Sequence, residues 1–214
     1  MPKAFTRILL FLILLFPVGL SFGQYGYHFG RNKIQYEDFE WKVMKTEHFD
    51  IYYYPEMLEL AEHGAFFAEE AYSELEHRFN FSLNHRVPLI FYSTNLHFKQ
   101  TNVTSGFIPD GVGGFFEFLK GRVVIPANGN LSRFRRVVRH EMVHVFTFNK
   151  VLRVMRDHRQ PSDRFLPLWF TEGLAEYWSG EPDHQHEMVI RDAMFTNYLV
   201  PLESMYRIRG SFVM

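Results

Sequence analysis

The 214-residue chain contains no cysteine. That absence excludes a disulfide framework, a thiolate nucleophile, a Cys-based zinc site, an iron–sulfur cluster and a lipid-modified N-terminal Cys. The chain also lacks an excess of either charge, with 23 Lys+Arg against 24 Asp+Glu and a formal net charge of -1. A nucleic-acid binder normally carries a clear basic excess, so nucleic acid is not an expected partner. No internal repeat or low-complexity stretch is visible, which argues against a solenoid or a propeller within these residues. What is abundant is apolar and aromatic: 47% hydrophobic residues, with 24 Phe and 11 Tyr. Such a chain can bury enough surface to offset its ordering entropy, so one globular domain is expected rather than disorder. Any metal must be held by carboxylates and by some of the 11 His.

The N-terminus reads as an address. Lys3 and Arg7 precede an apolar run from Ile8 to Phe16, continued past Pro17 through Val18 and Leu20. Ser21-Phe-Gly23 then puts small residues at the -3 and -1 positions of a cleavage site. Residues 1–23 are therefore expected to be a signal peptide cut before Gln24; the alternative is a retained anchor, for which the run is short against a ~30 Å hydrocarbon layer. The exported mature domain, 24–214, would be periplasmic, envelope-bound or secreted, without a stable membrane span. Loss of Lys3 and Arg7 leaves 21 basic against 24 acidic residues, a charge of -3. The chain ends in an apolar Ser211-Phe-Val-Met214 with no stop signal, so the domain is expected to be truncated from something longer.

Alternation predicts strands at 39–44 and 48–54. A helix over about 56–79 has a buried stripe of Leu58, Leu60, Ala61, Ala65, Ala68, Ala71, Tyr72 and Leu75. A strongly apolar strand is expected at 87–92, a short helix or loop at 95–102, and a hairpin of 115–119 with 122–125 around Lys120-Gly121. Three helices should follow, near 133–152 with Ser132 as N-cap, 167–180 and 184–199. Strands mixed with one long helix, then helices only, indicate an α+β fold.

The chemistry sits in His140-Glu-Met-Val-His144, an H-E-x-x-H pattern. Residues four apart share a helix face, so both imidazoles can converge on one Zn2+ while Glu141 stands beside the pair as general base. Trp169-Phe-Thr-Glu-Gly-Leu-Ala-Glu-Tyr177 lies on the next helix. Glu172 can complete a His2Glu ligand set, leaving a fourth position for water. Gly173 is expected to permit close helix approach. Glu176, one turn on, can accept the outer N–H of a zinc-bound imidazole. Thr147 and Lys150 stand where the three-His class needs Gly and His, so that class is rejected.

These two segments resemble the gluzincin metallopeptidases. In the aminopeptidase branch the second helix reads Asn-Glu-Gly-Phe-Ala and its Glu is the third zinc ligand, which matches Glu172; Thr171 replaces the Asn. In thermolysin-like enzymes an acid four residues later supports a ligand His, which matches Glu176. The whole chain is similar to a peptidase MA-like domain of exported bacterial proteins. The match covers 131–180 well and 36–130 loosely. The resemblance implies a small mixed sheet packed on the zinc helix, a peptide or protein substrate, and in several relatives a downstream propeller domain. It also implies an edge strand that pairs with extended peptide, similar in position to Gly113, Gly114, Phe115 and Phe116; the plain alternative for Gly113-Gly114 is a turn.

The expected function is zinc-dependent peptide hydrolysis by an activated water, with Tyr177, Tyr198 or Tyr206 as candidate oxyanion donors. The alternatives are a non-catalytic peptide- or protein-binding module on the same fold, and a zinc hydrolase of non-peptide substrates. His184-Gln-His186 reads as a solvated helix start, with a second metal site as the alternative. The basic stretch from Arg133 to Arg159 reads as a partly paired surface.

Overall fold

The computed structural model describes residues 36–104, 106–159, 166–180 and 184–199, together with Lys33, Pro201 and Ser204. The expected signal peptide, Tyr206 and the C-terminal run lie outside them. The described chain is α+β, a five-stranded mixed sheet with five helices. Strands β1 (Lys42–Lys45) and β2 (Phe49–Tyr53) form an antiparallel pair. A 3-10 turn at Pro55–Met57 leads into α1 (Leu58–Phe79). Next come β3 (Val87–Tyr92), α2 (Asn95–Lys99), β4 (Phe115–Glu117) and β5 (Arg122–Pro126). Helices α3 (Leu131–Asp157), α4 (Leu168–Ser179) and α5 (His184–Phe195) complete the chain.

The sheet order is β1-β2-β3-β5-β4. β2, β3 and β5 run parallel, while β1 and β4 are antiparallel edges. Parallel strands covered on both faces read as continuous apolar runs, and Val123, Val124 and Ile125 of β5 are all buried. Pro88 in β3 lies one residue before the pairing with β5 begins, so its missing N–H takes nothing from that ladder.

Helix α1 packs on the sheet and on α3 through a stripe of small residues: Ala61, Gly64, Ala65, Ala68 and Ala71. Leu58, expected in this stripe, is instead 46% exposed, because the turn before it already buries Met57. The helix ends at Asn80, which takes a left-handed conformation at φ 43°. On the α3 side, Arg135 and Arg139 pair with Glu70 and Glu74, four residues apart on both helices.

Gly64 shows how tight this interface is. In an open helix Gly→Ala gains about 1 kcal/mol. Here an added Cβ would stand 2.4 Å from Phe91 Cε2 and 3.0 Å from Phe134 Cζ. Both rings are buried and meet edge to face at 5.1 Å, so neither can swing clear. Overpacking of this kind costs about 1–3 kcal/mol. Gly64→Ala should therefore lower the denaturant midpoint with an unchanged slope. A raised midpoint would mean that the rings repack freely.

Candidate metal centre

Helix α3 starts at Leu131 because the Asn130 side chain, not Ser132, caps it, accepting from the Arg133 N–H at 2.9 Å. Its buried face, Phe134, Val138, Met142, Val145 and Phe146, locks the helix against the core. That fixes the adjacent face, which carries His140 and His144 toward α4. Helix α4 meets α3 through the fully buried Ala175, flanked by Glu172 and Glu176. Gly173 does not serve the expected close approach: a Cβ there meets open space. The glycine that a close approach does require is Gly114, where a Cβ would come within 3.1 Å of Glu141 Oε1 and Val137 Cγ1 and 3.2 Å of the Val124 carbonyl.

His140, His144 and Glu172 converge. The two Nε2 atoms are 3.1 Å apart, and Glu172 Oε2 lies 3.4 Å from that of His140 and 3.3 Å from that of His144. Donors about 2.0–2.1 Å from a tetrahedral ion stand about 3.3–3.4 Å from one another. The near-equilateral triangle is thus one face of such a tetrahedron. Among the described residues this is the cluster that can hold a metal ion.

Two further carboxylates surround it. Glu176 Oε1 lies 3.3 Å from His140 Nδ1, the outer nitrogen. A hydrogen bond there turns the Nε2 lone pair toward the triangle. Glu176 is itself held by Arg136 at 3.0 Å and approached by His186 at 3.7 Å. Neither Arg136 nor His186 was singled out for this role from sequence; the i, i+4 spacing of Arg136 and His140 is the signal that was there. Glu141 is buried, and its Oε2 has no hydrogen-bond partner. An orphaned buried carboxylate oxygen beside a donor triangle fits a site built for a cation and a water.

Two clefts meet at this cluster. One, of about 400 Å3, is apolar, walled by Phe115, Phe116, Phe118, Phe148 and Leu168 and ending at His140, His144 and Glu172. The other, of about 780 Å3, is polar and runs past Gly113 and Gly114 to Arg133 and Arg136. The segment 113–116 accordingly borders both clefts, and its β4 portion is the sheet edge. Tyr177 and Tyr198 are 75% and 78% exposed and line neither cleft, because both project from the solvent side of their segments.

Comparison with protein-family models, curated proteins and solved structures gives no match.

The donor set speaks through its electrostatics. Burial alone would lower the pKa of His140, but hydrogen bonds to Glu172 and Glu176 and the field of Glu141 raise it to about 10. Burial would raise Glu172, yet its two imidazole partners hold it at about 2. Hydrogen bonding from His140, then Arg136, holds Glu176 at about 2 as well. Glu141 goes the other way: burial pushes its carboxyl up, against the pull of His140 and His144. Without metal, His140 is therefore cationic at neutral pH.

A metal needs the Nε2 lone pair, so binding must expel that proton. Calorimetry in buffers of different ionisation enthalpy should count about one proton released at pH 7. Apparent affinity should rise with pH until it passes the His140 value of about 10. Zero release at neutral pH would contradict the charged state. The same sign governs the metal-free fold: stabilisation from His140 is fully present below its ordinary 6.5 and is lost as pH rises through about 10.

Proposed function

We propose that the chain is an exported zinc-dependent metallopeptidase of the gluzincin type. The observation that carries this reading is the triangle of His140 Nε2, His144 Nε2 and Glu172 Oε2, with sides of 3.1–3.4 Å, at the junction of two clefts. Two imidazoles and one carboxylate, with no thiolate anywhere, suit zinc. When bound, zinc supplies Lewis acidity that makes water nucleophilic near neutral pH and polarises a carbonyl.

The remaining work falls to the chain's own groups. Glu141 borders both clefts, takes the proton of the attacking water and passes it to the leaving amine. Its raised pKa brings the carboxyl nearer the working pH than an exposed Glu. Glu176 orients His140. An extended peptide pairs with the outer edge of β4, laying an apolar side chain among Phe115, Phe116 and Phe148. A downstream propeller domain belongs to the same reading by resemblance.

The deciding experiment is metal analysis of the purified chain joined to cleavage of a peptide library with and without chelator. Zinc near one per chain, with chelator-sensitive cleavage restored by zinc, is expected. Bound zinc with no cleavage but tight peptide binding favours the non-catalytic module. Zinc-dependent turnover of esters alone favours a hydrolase of other substrates.

A further inference from the structure

The two clefts differ in chemistry, and the difference points to the peptide they take. The apolar cleft offers rings and aliphatic side chains. The polar cleft is lined by Asn130, Ser132, Arg133, Arg136 and His186 and shares His140, Glu141 and Glu172 with it. Three carboxylates border the polar cleft, and two of them are already answered. Glu172 faces the two imidazoles at 3.3–3.4 Å. Glu176 is held by Arg136 and His140. Glu141 lies buried against Gly114. Arg133 is exposed and forms no ion pair with any described residue. It stands three residues from Arg136, hence on the same stretch of helix surface. Arg133 is therefore the exposed cation that this cleft offers a ligand.

We propose that the polar cleft is a carboxylate-recognising subsite, in which Arg133, supported by Arg136, binds an acidic group of the peptide next to the bond that is cut. This inference rests on the metallopeptidase reading and narrows it: the substrate carries an apolar residue on one side of that bond and a carboxylate on the other. The carboxylate comes either from an Asp or Glu side chain, which makes the enzyme an endopeptidase, or from the peptide's own C-terminus, which makes it a carboxypeptidase. Arg is suited to either because its planar fork donates two parallel N–H bonds to a carboxylate.

The test uses fluorogenic peptides with one Phe and three variations: an internal Glu with an amidated end, the same peptide with Gln, and the Gln peptide with a free C-terminus. The zinc-loaded chain should cleave one of the two carboxylate peptides with kcat/KM about tenfold above the neutral one or better, and the winning arm names the source. Anisotropy on the Glu141→Gln chain should reproduce the preference in Kd, without turnover. High salt should shrink it. Arg133→Glu should abolish or invert it, and Arg133→Gln, a milder change, should level it; thermal melts check both folds. Equal cleavage of all three peptides would overturn the subsite while leaving the peptidase standing. So would a preference that survives in Arg133→Glu. No cleavage and no binding of any peptide would remove the peptidase reading, and the subsite with it.

Discussion

Glu141→Gln should lower kcat/KM for peptide hydrolysis by about a hundred- to ten-thousandfold, the contribution typical of a positioned general base. Metal content should be unchanged, because the Glu141 oxygens are not among the three that form the donor triangle. The fold should also persist. Glutamine keeps the shape, which matters because Oε1 sits against Gly114 with no room to spare. It also removes a carboxylate whose charged form is disfavoured by burial, so stability above the Glu141 pKa should hold or improve. The informative measurement pairs metal analysis with single-turnover kinetics on one preparation. Full activity with full metal would remove Glu141 as the base and leave its burial and its orphaned Oε2 without a chemical reason.

Glu172→Ala should act on a different quantity. It takes away one of three donors and leaves His140 and His144 to hold the ion alone. Loss of a supporting partner such as Glu176 weakens metal binding by about 10–100-fold. Loss of a ligand should exceed that, so competition against a chromophoric chelator should rank Glu172→Ala below Glu176→Gln and both below the parent chain. Activity should fall in the same order and recover partly with excess metal. The electrostatics add a control. Glu172 and Glu176 both partner His140, so each variant should lower the His140 pKa from about 10. Fewer protons should then be expelled when metal binds. Unchanged metal content after dialysis of Glu172→Ala would place the third ligand elsewhere.

Much of the scaffold was legible because period and composition are local. The strand at 87–92 and the helix through 79 fall where the apolar pattern puts them. The hairpin forms as expected, with Gly121 at φ +63° in its turn. Where boundaries moved, competing local chemistry explains it. Asn130 caps α3 ahead of Ser132, and the helix runs on to Asp157, with Lys150 and Arg153 lying over the Phe81 ring. The last helix stops at Phe195, short of the expected 199, with Asn197 left-handed at φ 55°. On α4, Phe170 and Tyr177 are exposed while Ala175 is buried. An aromatic side chain in a helix does not say which face will meet a partner.

The sequence by itself determined the donor types, the shared helix face of His140 and His144, and the choice of Glu172 and Glu176, because spacing along one helix dictates direction. The tertiary structure alone decided that Glu172 Oε2 comes within 3.4 Å of both imidazoles. It also brought Gly114 against Glu141 and made one cleft aromatic and the other polar. Those facts depend on how α4 and the β4 edge dock on α3, and docking is set by packing among residues far apart in the chain, which no local period encodes.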